Sequence, residues 1–253
     1  MSPTIKGLYQ PARAKHGPCK LCGSVGKLSR THVPARASGN AGPARRPTRV
    51  LGSDGVWRYD LGHEEDGGMW GRWFCEPCNN ATGKWDEEYL RWAGDVFGAL
   101  HHPSAGKGNR ISARSSQLKP GAFVRALWAW MFALSDLLPA KYPDLATAVR
   151  TGAPAKPPST INLLLGATRD LQFGILGLYR SVTVTAPPFV ALLVTLRAGG
   201  RDIERRALFD TTPWLRIPAD AVEAIDFELP VIHTFDEGRL PMTGTPVIDP
   251  YGD

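Results

Sequence analysis

The 253-residue sequence has only four cysteines, no acidic residue in its first 50 positions and no long apolar run. The longest apolar stretch, residues 126–134, is bounded by Arg125 and Asp136. A membrane-spanning helix needs about 20 apolar residues, so this stretch is too short. The N-terminal residues are polar and basic and lack the apolar centre of a signal peptide. We therefore expect a soluble cytoplasmic protein without a membrane partner.

Residues 1–50 lack negative charge: they carry four Lys and six Arg and no carboxylate. Residues 51–100 reverse this balance, with four basic and ten acidic side chains. A block of uncompensated positive charge favours a polyanion such as nucleic acid, because each neutralised phosphate releases counterions. The alternative is a solvated basic tail.

All four cysteines lie in two Cys-x-x-Cys pairs, Cys19/Cys22 and Cys75/Cys78. Disulfides are the first alternative, but they belong mainly to small secreted domains. Two such pairs are the ligand set of a tetrahedral zinc site, and four thiolates leave no position for water. The sequence thus predicts a structural zinc ion. Because 52 residues separate the two pairs, the insert must carry structure of its own.

Four segments are predicted from composition: a flexible basic lead-in at residues 1–16, a zinc module at 17–102, a linker at 103–121 and a C-terminal domain at 122–253. In the zinc module we expect a strand over 28–33, a hairpin over 50–61 and a helix over 79–100.

The C-terminal domain is predicted to contain one apolar helix and a β-rich unit. Residues 122–138 are apolar nearly all round, as in a helix buried on most sides, and a short helix follows at 142–150. Short aliphatic or alternating segments then predict strands at 161–165, 174–179, 181–185 and 189–197, with further strands at 205–209, 214–217 and 225–227.

Three motifs together carry a family resemblance: Cys19-x-x-Cys22-Gly23, Leu28-x-x-Thr31-His32-Val33-Pro34 and Cys75-x-x-Cys78-Asn79-Asn80-x-Thr82-Gly83. Their order resembles the HNH endonucleases with a ββα-metal (treble-clef) core, in the zinc-stapled branch that includes phage endonuclease VII. The resemblance covers about residues 17–95. It implies an α+β fold in which a zinc-bound ββα-metal module precedes the buried helix and the β-rich unit.

The resemblance implies metal-dependent hydrolysis of phosphodiester bonds, with DNA as the expected substrate. His32 takes the place of the general base, and a neutral imidazole suits proton abstraction at cellular pH. Asn79, with Asn80 as the near alternative, takes the place of a ligand to a catalytic Mg²⁺ or Mn²⁺ ion. Asn79 could instead serve only as the N-cap of the predicted helix.

The sequence departs from the family at Thr31, where the family commonly places Asp, Glu or His as a metal ligand. A hydroxyl is a poor ligand for a hard cation compared with a carboxylate. Compensating ligands could come from two clusters of side chains. One consists of Asp60, His63, Glu64, Glu65 and Asp66, and the other of Asp86, Glu87 and Glu88. Without them the module would bind nucleic acid and not cut it.

Five arginines in or near the predicted zinc module are candidate phosphate contacts: Arg30, Arg36, Arg45, Arg46 and Arg49. The favoured hypothesis is an HNH-type endonuclease. Its rivals are an inactive zinc module that binds DNA or RNA, and a structural protein whose zinc only stabilises the fold. Formation of a homodimer is one further possibility that the sequence leaves open.

Overall fold

In a computed structural model the chain forms both helices and β-sheets, which follow one another in separate runs, and the protein is an α+β structure. The structure describes residues 14–41, 44–45, 48–51, 57–60, 64–65, 67–102, 110–156, 158–168, 174–178, 181–186, 188–195 and 208–231. Within these residues, no helix is both long and apolar enough to cross a membrane.

The N-terminal part consists of short antiparallel strand pairs. Strand β1 (His16–Pro18) pairs with β2 (Val25–Lys27), and β3 (Thr31–His32) pairs with β8 (Trp70–Gly71). Two further pairs lie between β3 and β8 along the chain: β4 (Ala44–Arg45) with β7 (Glu64–Glu65), and β5 (Thr48–Leu51) with β6 (Trp57–Asp60). The β5–β6 pair confirms the predicted hairpin, whose turn lies outside the described residues.

Helix α1 (Glu76–His101) follows β8 and begins three residues earlier than predicted. Its N-cap is Cys75, and Pro77 lies in the first turn, where the missing N–H of proline has no intrahelical partner to lose. Asn79 is therefore inside the helix, so its alternative role as the N-cap is wrong.

The C-terminal part contains three helices and two sheets among the described residues. Its helices are α2 (Pro120–Leu134), α3 (Leu137–Lys141) and α4 (Pro143–Thr151). The larger sheet has the order β11-β12-β13-β10-β14 and is formed by β10 (Ile161–Ala167), β11 (Gly174–Leu178), β12 (Ser181–Ala186), β13 (Phe189–Thr195) and β14 (Phe209–Asp210). The smaller sheet pairs β9 (Arg110–Leu118) with β15 (Glu223–Pro230).

Three predicted segments differ from the structure. The helix predicted over 122–138 is interrupted at Ser135, whose Oγ accepts hydrogen bonds from the backbone N–H groups of Leu137 and Leu138 and so starts a new helix. The strand predicted over 214–217 falls in a 3-10 turn, Thr212–Arg216. Strand β9, Arg110–Leu118, lies within the segment predicted as a linker; its pairing partner is more than 100 residues away, so no local pattern indicated it.

Helix α1 and the C-terminal part share one aromatic core. The ring of Trp92 on α1 lies 4.2 Å from Phe123 on α2 and 4.6 Å from Phe227 on β15, measured between centroids. The hydroxyl of Tyr89 donates to the carbonyl of Ala186 over 2.6 Å. The predicted domain boundary at residue 102 stays a prediction, but the core continues across it.

Arg125 is the most deeply buried charged residue of this core, with no exposed surface. Burial lowers the pKa of its guanidinium to about 10, which leaves it charged at neutral pH. No carboxylate pairs with it in the described part of the chain. Instead its N–H groups donate to five backbone carbonyls, those of Gly121, Ala148, Ala153, Leu215 and Ile217. The side chain thereby joins α2, the end of α4 and the 3-10 turn.

Replacing Arg125 by methionine is expected to lower the free energy of unfolding by about 3 kcal/mol, because buried carbonyls lose their donors. Urea denaturation followed by tryptophan fluorescence measures this change. Arg216→Met, at an exposed arginine in the same 3-10 turn, is the control and should change stability by less than about 0.5 kcal/mol. Equal denaturation midpoints for the two variants would contradict the structural role of Arg125.

Candidate metal centre and adjacent cleft

The four cysteines meet at one point of the structure, with all four sulfur atoms within 4.8 Å of one another. The Sγ atoms of Cys22 and Cys75 are 3.8 Å apart. Tetrahedral zinc with Zn–S bonds of about 2.3 Å requires sulfur atoms about 3.8 Å apart. The cluster could therefore hold a metal ion such as zinc.

Two backbone features present the thiols. The turn between β1 and β2 carries the first pair, with Gly23 at a positive φ of 72° and its N–H donating to the carbonyl of Cys19 over 2.8 Å. The second pair lies at the start of α1, where Cys75 is the N-cap and Cys78 is in the first turn. An antiparallel β-bridge between Leu28 and Cys75 links the segment after the first cysteine pair to the start of the second pair.

The thiols are in unequal environments. Burial raises the pKa of Cys19 and of Cys78, which favours their protonated forms. Burial acts in the same direction on the more exposed Cys22, but hydrogen bonds with Ser24 and with the neighbouring thiols outweigh it and lower its pKa to about 6. Metal binding requires thiolates, so a bound ion would displace the thiol protons of these cysteines.

A second group of polar residues lies where β3 meets α1. The hydroxyl of the buried Thr31 donates to Oδ1 of Asn79 over 2.9 Å, and Nδ2 of Asn79 donates to the carbonyl of Arg30 over 3.3 Å. His32 is the next residue on the strand, paired with Trp70 of β8. The structure thus brings together His32, Asn79 and Thr31, while the neighbouring Asn80 is exposed.

His32 is oriented by a backbone carbonyl. Its Nε2 lies 3.0 Å from the carbonyl oxygen of Gly67, so the proton of the neutral ring is on Nε2 and Nδ1 keeps its lone pair. Burial lowers the pKa of His32; the bond to Gly67 acts in the opposite direction, and the charges of Arg30 and Arg36 add to the lowering. The imidazole is therefore neutral at cellular pH.

Asn40, a residue that the sequence analysis missed, holds the loop containing that carbonyl. Its buried carboxamide donates to the carbonyls of Pro34 and Met69 and accepts the N–H of Met69 over 2.6 Å. Gly68 has a φ of 77°, and a Cβ there would lie 2.2 Å from the carbonyl oxygen of Asn40. The two adjacent glycines, Gly67 and Gly68, were the only sequence signal of this close approach.

A cleft of about 320 Å³ opens beside His32. One wall comes from β3 and the following 3-10 turn, Arg36–Ser38. The opposite wall is a stripe of α1 at helical spacing, formed by Asn79, Gly83, Asp86 and Leu90, and Trp130 of α2 closes the inner end. Arg30 and Arg36 are exposed at its rim.

Asp86 is the half-buried carboxyl group of this cleft. Burial raises its pKa to about 7, and a hydrogen bond from the side chain of Trp130 only partly offsets this effect. The protonated and the ionised carboxyl are therefore both accessible near neutral pH. Strongly shifted carboxyl groups in clefts are enriched in functional sites.

Asp86 does not replace the missing ligand at Thr31 for an ion bound by Asn79. The two residues are seven positions apart, which separates their Cα atoms by about 10.5 Å along the helix. Both side chains lean toward the N-terminus of the helix, so the lean does not shorten this separation. One Mg²⁺ ion would need their oxygen atoms within about 4.2 Å of each other. Glu88 is also excluded as a ligand, because it accepts the N–H of Lys119 and pairs with Arg91.

Several predicted site residues lie beyond what the structure describes. His63, Asp66 and Arg46 are outside the described residues, and for Arg45, Arg49, Asp60, Glu64 and Glu65 only the strand pairing is described. Glu87 is exposed at the edge of the cleft.

Comparison with protein-family models, with curated proteins and with solved structures gives no match. The function of the site therefore has to be argued from its geometry and chemistry.

The purified protein is expected to contain about one equivalent of zinc, measured by elemental analysis. Cobalt substitution should give the absorption of a tetrahedral thiolate site, because four sulfur atoms surround the position. Removing the ion with a chelator should lower the thermal midpoint, since the metal ties the β1–β2 turn to α1. Cys78→Ser should lose most of the metal. Unchanged zinc content in Cys78→Ser would contradict the assignment.

Asp86→Asn is expected to stabilise the protein at pH 8 and to have little effect at pH 4. A pKa raised from 3.8 to about 7 means that folding favours the protonated carboxyl. The penalty is absent below pH 4, grows as the pH rises and is complete above pH 7. It reaches at most about 4 kcal/mol. Denaturation across this pH range measures it, with exposed Asp95→Asn on the same helix as the control. A stability difference that does not change with pH would contradict this.

Proposed function

We propose that the protein is a metal-dependent endonuclease of the HNH type that hydrolyses phosphodiester bonds of nucleic acid, with DNA as the first expected substrate. One observation carries this proposal. His32, on a strand, has a free Nδ1 and an Nε2 bound to the Gly67 carbonyl, and it stands beside the Thr31–Asn79 pair at the start of α1. The cysteine cluster ties the β1–β2 turn to that helix, an arrangement that supports a ββα-metal module.

His32 would act as the general base. Its Nδ1 accepts a proton from water, the water oxygen forms a bond to phosphorus, and the bond from phosphorus to the leaving oxygen breaks. The Gly67 carbonyl fixes the tautomer that this step needs and stabilises the imidazolium that forms. The lowered pKa of His32 keeps the base form populated at neutral pH.

A divalent ion such as Mg²⁺ or Mn²⁺ would be held by Oδ1 of Asn79, with the Thr31 hydroxyl 2.9 Å away as a second, neutral oxygen. When bound, the ion polarises the phosphate and stabilises charge on the leaving oxygen. Mg²⁺ usually takes one or two carboxylates together with substrate phosphates. With neutral donors only, this site would rely on the phosphate to complete its coordination, so we expect the ion to bind together with the nucleic acid.

Arg30 and Arg36 would bind the phosphates that flank the cleaved bond. The guanidinium carbon of Arg30 lies 3.8 Å from the centroid of the Trp70 ring, an arrangement that fixes the side chain at the rim of the cleft. Arg36 is exposed on the 3-10 turn, which belongs to the same wall of the cleft. Together with the basic N-terminal third, they support a polyanion as the substrate.

A nucleic-acid-binding protein without nuclease activity is the second candidate function. The hydrogen bond from Thr31 to Oδ1 of Asn79 favours it, because that bond occupies the oxygen expected to bind the catalytic ion. Such a protein would bind DNA or RNA in a salt-sensitive way.

His32→Ala is expected to reduce nicking of supercoiled plasmid by at least about 100-fold with Mg²⁺ or Mn²⁺, because the general base is lost. The variant should keep its zinc and its affinity for DNA. His101→Ala, at an exposed histidine outside the cleft, is the matched control and should cut like the wild type.

Equal cutting by wild type and His32→Ala would overturn the catalytic assignment. Salt-sensitive DNA binding by the wild type, with no cutting under either metal, would instead establish the binding protein.

A further inference from the structure

The inner end of the cleft is lined differently from its rim. Leu90, Ala129 and the buried Trp130 supply its apolar lining, and the half-buried Asp86 lines it with them, while the second carboxyl group, Glu87, is exposed at the edge. The proposed hydrolysis at His32 uses none of these residues. An apolar recess with one well-placed polar group is typical of a site for a small, flat ligand.

The size of the cleft limits what can enter. Its volume of about 320 Å³ suits one nucleotide and is far too small for a double helix. Enzymes that accept a single base in a pocket hold it between apolar or aromatic side chains and recognise its Watson–Crick edge by hydrogen bonds. The recess offers both elements.

The hydrogen-bonding capacity of Asp86 selects among the bases. Its side chain accepts a hydrogen bond from the side chain of Trp130, and no described cation forms a salt bridge with it. A carboxylate has about four acceptor positions, so acceptors remain for a ligand. Guanine presents two adjacent donors on its Watson–Crick edge, N1–H and the N2 amino group. Adenine and cytosine each place a ring-nitrogen acceptor beside their amino group, which a carboxylate repels.

The charges at the rim orient such a nucleotide. Arg30 and Arg36 would hold the phosphate at the opening next to His32, and the base would point inward toward Asp86. This orientation places the recognised base directly beside the bond that is cut.

We propose that the cleft binds one unpaired guanine nucleotide of the substrate strand, with the carboxylate of Asp86 accepting hydrogen bonds from N1–H and the N2 amino group. The identification of the bound phosphate as the one that is cut rests on the proposed function; the base site itself does not. Unpaired bases occur in single strands, bulges and branched junctions, so the substrate class is nucleic acid with an unpaired guanine.

Titration calorimetry of the full chain with 5′-GMP, 5′-IMP and 5′-AMP at pH 8, without divalent ions, tests the proposal. The wild type should bind GMP at least about tenfold more tightly than AMP, since a bidentate pair discriminates by that much or more. IMP, which lacks the N2 amino group, should bind with intermediate affinity. Asp86→Asn should lose the preference for GMP. Asp95→Asn, an exposed aspartate on the same helix outside the cleft, should keep it.

Equal binding of GMP and AMP by the wild type would overturn the proposal, and so would an unchanged preference in Asp86→Asn. Absence of GMP binding at millimolar concentration would also overturn it. The comparison between nucleotides on the wild type needs no variant, so misfolding of Asp86→Asn would not weaken the test.

Cutting of a duplex that carries a single bulged G or a single bulged A separates this inference from the proposed function. Cutting of both at equal rates would overturn the guanine site and leave the nuclease in place. A GMP preference without any cutting would support the guanine site while the proposed nuclease activity fails.

Discussion

The double role of helix α1 (Glu76–His101) is the constraint on which the rest of the structure depends. Its first turn carries two of the four clustered thiols, and its buried face supplies Tyr89 and Trp92 to the aromatic core. The cluster and the core therefore fix the same rigid element from two sides. Lys20 reinforces this arrangement, because its ammonium group donates to the carbonyl of Ala133 and pairs with Asp136 at the end of α2.

The stripe of α1 that lines the cleft lies on this same helix. Because the cluster and the core hold the helix in place, the site can be well ordered with few direct contacts between its functional groups. His32 is oriented by a loop carbonyl, and that loop is held by the buried carboxamide of Asn40. Backbone and amide groups thus position the imidazole of His32.

Asp86 and Arg125 are two ionisable side chains with opposite effects on the stability of the fold. A carboxyl group on the apolar wall of a cleft opposes folding at neutral pH, where a neutral side chain of the same shape would be more stable. Arg125 is buried more deeply, but its N–H groups donate to five carbonyls, so its charge supports the fold.

The sequence by itself determined the cysteine pairs, the apolar helix α2, the α+β class and the local strands with regular alternation, because these depend on spacing and periodicity within short segments. The catalytic and metal-binding roles of His32 and Asn79 stay predictions. Only the tertiary structure decided that Thr31 donates a hydrogen bond to Asn79, that Asp86 lines the same cleft as His32, and that Asn40 holds the loop beside His32. It also decided that β9 pairs with β15 across more than 100 residues. Such relations depend on the packing of distant segments, and no local pattern encodes them.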